Sequence, residues 1–135
     1  MDSFHGRAVF FVSDAEKSLA FYTEKLGFAV DWNHRVDGRA FVFQVSLFGF
    51  QLILNQIEEW TKDRAGHGRV FIGLDESQAA GFHRHIQDKG IPTTSFHWGG
   101  PTLVIRDIDE NEFFFWLPER ASLEAEIAQQ GVEPP

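Results

Sequence analysis

The chain has 135 residues, 43% hydrophobic and 24% charged, which suits one globular domain able to bury a core. A formal net charge of −8 with no block of Lys or Arg argues against nucleic-acid binding, and the lack of cysteine excludes disulfides, thiolate metal sites and a cysteine nucleophile. No apolar run approaches the roughly 20 residues of a membrane helix, no signal peptide is expected from Met1 to Gly6, and a cysteine-free chain fits a cytoplasmic location.

Val9–Val12 is a short apolar run, expected to be a strand. Ser13-Asp14-Ala15-Glu16 has capping-box spacing, with Ser13 as the expected N-cap and Glu16 reaching back. Ala15, Leu19, Tyr22 and Leu26 then form one helical face, and Gly27 ends the helix. Strands are expected near Phe28–Trp32, Ala40–Val45 and Gln51–Leu54, with turns at Asp37-Gly38 and Gly49. Ile57 to Gly68 is polar and mixed, and reads as a linker. Trp60 within it reads as a loop anchor or an interface residue.

After the linker the plan repeats. Val70–Leu74 is an expected strand, and Asp75 with Gln78 has capping-box spacing. Ala79, Phe82 and Ile86 supply the next helical face, which Gly90 ends. Strands follow near Pro92–Ser95, Thr102–Arg106 and Glu112–Leu117, and a final helix is expected within about 119–130. Gly27 and Gly90 lie 63 residues apart, Arg7 and Arg69 lie 62 apart, and Ile53 and Phe114 lie 61 apart. Such near-constant spacing points to two copies of one βαβββ unit, about 5–56 and 67–118, within one domain spanning 1–135. The expected class is α+β: two tandem βαβββ modules forming a curved mixed sheet around one cavity, plus a C-terminal helix.

Val9-Phe10-Phe11-Val12-Ser13-Asp14, Ser18-Leu19-Ala20-Phe21-Tyr22 and Leu26-Gly27-Phe28 together resemble the first module of the vicinal-oxygen-chelate superfamily, which includes glyoxalases, bleomycin-resistance proteins and dioxygenases. Trp98-Gly99-Gly100 and Asp107-Ile108-Asp109-Glu110-Asn111 are similar to its WG and D-P-D-G-N signatures, with Ile108 and Glu110 in place of the usual Pro and Gly. The resemblance covers roughly residues 7 to 118. It implies the fold and leaves the reaction open, because one fold hosts several functions.

Enzymes of that superfamily hold a divalent metal through His, Gln or Glu on the first and fourth strands of each module. Here those positions fall on Arg7, Arg69, Ile53 and Phe114. Guanidinium has no lone pair to give, and Ile and Phe carry no donor, so no metal is expected at the usual site. Two residues nearer the start of each strand, on the same face, lie His5, Gln51, His67 and Glu112. Their types suit Zn, Ni, Mn or Fe. The competing reading is that these are ordinary polar strand ends, with His5 and His67 in loops beside Gly6 and Gly68.

Alternation puts Ala8, Phe10, Val12, Val70, Ile72 and Leu74 towards the helices. Arg7, Val9, Phe11, Arg69, Phe71, Ile53, Phe114 and Trp116 face the other way, and Trp32 and Trp98 are rim candidates. This composition suits a small aromatic or anionic ligand. The alternative is that an acid such as Glu112 pairs with the arginines internally. Three functions compete: a metal-free small-molecule binding protein; a metal-dependent lyase, isomerase or extradiol-type dioxygenase using His5, Gln51, His67 and Glu112; and an interaction module with a vestigial pocket. Neither a nucleic-acid nor a membrane partner is expected, and a homodimer is.

Overall fold

A computed structural model describes residues 6–99 and 101–116, which fall into two compact units. The first takes the described residues up to Gly68 together with Asp107–Asn111. The second takes Arg69–Arg106 and the described residues from Glu112 onward. The expected C-terminal helix lies outside the described residues. No helix among the described residues is long and apolar enough to cross a membrane.

The first unit runs β1 (Ala8–Val12), α1 (Ala15–Ala20), β2 (Ala29–Val36), β3 (Arg39–Leu47) and β4 (Phe50–Gln56). Its sheet has the order β1-β4-β3-β2, with β1 parallel to β4 and the other pairs antiparallel. Asp37 and Gly38 both have positive φ, at 53° and 78°, and so do Phe48 and Gly49, at 52° and 85°. Two successive left-handed residues give the twist that a two-residue hairpin needs. The second unit repeats the plan with β5 (Arg69–Gly73), α2 (Glu76–Asp88), β6 (Thr94–His97), β7 (Pro101–Arg106) and β8 (Glu112–Trp116), in the order β5-β8-β7-β6. Two βαβββ arrangements are therefore present, as the repeat spacing implied.

The alternation expected from the sequence holds. Phe10 and Val12 are buried while Val9 is 45% exposed, and Ile72 and Leu74 are buried while Phe71 is 50% exposed. The buried sides meet the helices. Ala15, Ser18 and Tyr22 are buried over the first sheet, whose core includes Phe43, Val45, Leu52 and Leu54. In the second unit Ala79, Phe82 and Ile86 of α2 are buried, with Phe82 and Phe115 rings 4.6 Å apart. Each fully buried Phe or Leu contributes about 1.5–3 kcal/mol, so these two faces carry most of the stabilisation.

Two local expectations need correction. The N-cap of α1 is Asp14 and not Ser13: the Asp14 carboxylate accepts from the N–H groups of Glu16 and Lys17. Glu16 does not reach back to close a box. It accepts from the Ala40 N–H at 2.7 Å and pairs with Arg35. The helix also does not stay α-helical to Leu26, because Phe21–Lys25 forms a π-helical turn closed by Leu26 N–H on Phe21 O at 3.1 Å. Asp75 caps α2 as its spacing implied, accepting from Gln78 N–H at 3.1 Å.

The loop Asp107–Asn111 joins β7 to β8 yet belongs to the first unit. Asp107 Oδ1 accepts from the N–H groups of Asp109 and Asn111, each at 2.9 Å. Its Oδ2 accepts from Tyr22 OH at 2.7 Å and Asn111 Nδ2 at 3.0 Å. Asn111 in turn donates to Phe11 O and accepts from Gly68 N–H, and Asp109 accepts from Ser13 N–H. Burial pushes the Asp107 carboxyl above its ordinary range, while the bonds from Asn111 and Tyr22 pull it back. Glu110 takes φ 76° where the family has Gly, so the signature's shape survives the substitution.

Candidate ligand-binding faces

The side of each sheet away from its helix carries the residues singled out from the sequence. On the first sheet, the register places Val9, Ile53, Gln44 and Trp32 in one row across β1, β4, β3 and β2. Phe11, Asn55, Val42 and His34 form the next row. At the other end Arg7 Nε donates to Gln51 Oε1 at 3.0 Å, and Gln51 lies opposite Ser46. A bulge between Val30 and Trp32 turns Asp31 onto this face, where it accepts from Gln44 Nε2 at 2.8 Å and Ser46 Oγ at 2.9 Å. Re-aiming a side chain is what a bulge does, and no sequence signal marks this one. Arg7, Phe11, Ile53 and Trp32 therefore share a face, with Phe11 and Trp32 on opposite edge strands.

A further residue on this side was not anticipated. Arg64, in the 3-10 turn Lys62–Arg64, places its guanidinium carbon 5.5 Å from the Phe11 ring centroid and 5.6 Å from that of Trp60. Its sequence context, Lys62-Asp63-Arg64, looks like any solvated linker.

The second sheet gathers Arg69, Phe71, Phe114 and Trp98. Arg69 sits over Phe114 with 4.1 Å from guanidinium carbon to ring centroid. The Trp98 ring lies 4.9 Å from Phe114 and 5.7 Å from Phe71. Phe114 is buried, whereas Phe71 and Trp98 are 50% and 41% exposed. Trp116 follows on the same side of β8, opposite Gly73 and half-buried. Glu112 joins two arginines. Its Oε1 accepts from Arg69 Nε at 2.9 Å and lies 2.8 Å from Nη2; its Oε2 accepts from Arg106 Nε at 3.1 Å and lies 3.0 Å from Nη2. Arg106, which the sequence reading passed over, also donates to Thr94 Oγ1 at 3.4 Å. Arg69 is thus an internally paired cation stacked on a ring.

The donor chemistry at the superfamily's metal positions does not fit a metal. Arg7 is a donor to Gln51, Arg69 is a donor to Glu112, and Ile53 and Phe114 have no lone pair. The shifted set fares little better. Gln51 Oε1 faces a guanidinium, both Glu112 oxygens accept from arginines, and His67 is exposed in the loop before β5. His5 lies outside the described residues. Among the described residues, no group of three or more His, Cys, Asp or Glu is placed to hold a metal ion.

Tandem βαβββ arrangements with the Asp107–Asn111 signature define an α+β protein of the vicinal-oxygen-chelate type. Residues 5–115 match the Glyoxalase/Bleomycin resistance protein/Dioxygenase superfamily, and the chain belongs to that family. No curated protein matches it significantly. Among solved structures, it is similar to TnmS3, an antibiotic binding protein from Streptomyces sp. CB03234, with 22% identity, TM-score 0.63, and 88% of this chain and 99% of that one covered. It is also similar to the bleomycin-binding protein of Streptomyces verticillus, solved with copper(II)-bleomycin, at 18% identity, TM-score 0.65, and 88% and 100% coverage. Lactoylglutathione lyase from Agrobacterium tumefaciens matches at 15% identity, TM-score 0.60, and 87% and 96% coverage. At these identities the likeness is one of fold.

Proposed function

We propose that this chain is a small-molecule binding protein of its family that works without a metal at the family's usual position and takes a planar aromatic ligand. The observation that carries the reading is the ring cluster of the second unit, where the exposed Phe71 and Trp98 rings pack with buried Phe114 beneath the Arg69 guanidinium. Exposed rings held in fixed geometry offer a stacking surface at little entropic cost. The antibiotic-binding and bleomycin-binding neighbours support this reading. A metal-dependent lyase or dioxygenase would require Glu112 to release two arginines before it could ligate a metal.

The test is a thermal-melt screen with 2-naphthoate, 2-naphthamide and 2-naphthylmethylammonium. A ligand that binds only the folded state stabilises it by RT ln(1 + L/Kd), where L is the free ligand concentration, and so raises the melting temperature. Wild type is expected to be stabilised by at least one of these rings, and Trp98→Ala is expected to lose that stabilisation. A Trp98→Ala protein that keeps the full effect rules out the stacking surface.

A further inference from the structure

The linker Ile57 to Gly68 is a built element. Ile57 N–H bonds Val12 O at 2.9 Å, and Gly66 N–H bonds Phe11 O at 3.4 Å, so both its ends hang on the end of β1. Between them, Thr61 is 2% exposed and closes a turn on Glu58: its Oγ1 accepts from Glu58 N–H at 2.8 Å, and its own N–H donates to Glu58 O at 3.0 Å. Arg64 N–H then bonds Thr61 O at 2.9 Å. This chain of bonds sets Arg64 over Phe11, with Trp60 as a second ring.

Arg64 differs from the ion-paired cations and, on this face, from Arg7, whose guanidinium donates to the neutral Gln51 side chain. Arg35 pairs with Glu16, Arg39 with Asp14, Lys62 with Glu59, and Arg69 and Arg106 share Glu112. Arg64 has no carboxylate partner among the described residues. Ring contacts use none of its five N–H donors, so the in-plane edge stays available. Asp31 is the carboxylate fixed on the same sheet face, but at the far edge strand. Three strand spacings put it roughly 14 Å from β1, where Gln44 and Ser46 hold it, and it makes no ion pair with Arg64.

We infer that Arg64, held by Phe11 and Trp60, is an anion-reading subsite on the first sheet's open face, taking a carboxylate or phosphate carried on an aromatic ring. The planar guanidinium fork matches two oxygens of either group, and the two aromatic side chains meet the ring that bears it. This rests on the small-molecule-binding reading and adds, in the first unit, a ring-contacting face separate from the Phe71, Trp98 and Phe114 cluster of the second.

The experiment is calorimetric titration with 2-naphthoate, 2-naphthyl phosphate and neutral 2-naphthamide, on wild type, Arg64→Gln and Arg64→Lys. Arg64 is exposed, and far-ultraviolet circular dichroism with thermal melting checks that each variant is folded. Wild type is expected to prefer at least one of the anions to the amide by roughly tenfold, the scale of one charge-assisted contact. Arg64→Gln is expected to lose that preference, so that anions and amide bind alike, and Arg64→Lys to recover only part of it. Whichever of naphthoate and naphthyl phosphate keeps the larger preference identifies the group. Equal binding of anions and amide, or a preference that survives Arg64→Gln, overturns the inference and leaves the binding-protein reading intact. No binding of any ring overturns both.

Discussion

Replacing Tyr22 by Phe deletes one oxygen and keeps the ring that packs edge-on against Phe28 at 5.6 Å. The lost bond, Tyr22 OH to Asp107 Oδ2 at 2.7 Å, is buried at both ends. A hydrogen bond to a charged group contributes about 1.5–3 kcal/mol. The size of the loss depends on pH, and the sign follows from Asp107. Burial raises its folded pKa above the ordinary 3.8, so its favourable contribution is complete below 3.8 and is lost as pH rises through the folded value. The Tyr22 bond favours the carboxylate form, so removing it raises that value further. The destabilisation is therefore expected to be about 2 kcal/mol near pH 8 and to shrink as pH falls through the raised folded value, where Asp107 takes up its proton and the bond becomes neutral. The assay is urea unfolding of both proteins across that range, followed by tryptophan fluorescence and circular dichroism. Subtracting the two curves cancels every other carboxylate. A difference below about 0.5 kcal/mol near pH 8, or one that grows towards acid, would refute the assigned role of Asp107.

Three further outcomes are expected. A Cβ added at Gly68 would run into the Phe10 ring and sit 2.9 Å from Asn111 Oδ1, so Gly68→Ala should cost about 1–3 kcal/mol in urea melts by overpacking a buried ring. Glu112→Gln leaves Arg69 and Arg106 without their shared carboxylate; with Arg69 half exposed, the loss should be about 1–2 kcal/mol, and 1 M NaCl should recover part of it. Asp14→Ala removes the α1 cap and should cost about 1 kcal/mol at neutral pH. Its bonds to Lys17 N–H and the Arg39 charge hold the Asp14 carboxyl below 3.8, so that contribution should vanish only as pH falls through the lowered value.

Much of the fold was legible because it is written in short periods. The alternation of Arg7, Val9 and Phe11 against Phe10 and Val12, the Asp75 cap and the Asp37-Gly38 hairpin each need only a few neighbouring residues. What was not legible depends on distant ones. Ser13 looked like the cap of α1, but its N–H is taken by Asp109, 96 residues away, and Asp14 caps the helix. The Asp31 bulge is set by Gln44 and Ser46 on the neighbouring strand. Arg64 became visible as a site residue only once the Thr61 turn and the bonds to β1 placed it over Phe11. Arg69 and Glu112 both stand out in the sequence, and an internal pairing between them is one of the readings it supports. Arg106 was missed although the β7–β8 hairpin sets it directly opposite Glu112.

Binding of a planar ring by stacking on Trp98 needs no metal. It is tested most directly by titrating the planar aromatic that gives the largest melting shift into metal-stripped protein in EDTA, and again after loading with Zn, Ni, Mn or Fe(II). The same affinity is expected in both states, with at least a tenfold loss in Trp98→Ala, about the cost of one lost stacking partner. Binding that appears only with metal, together with about one metal per chain that Glu112→Gln abolishes, would contradict it and point to the metal-dependent chemistry of the family.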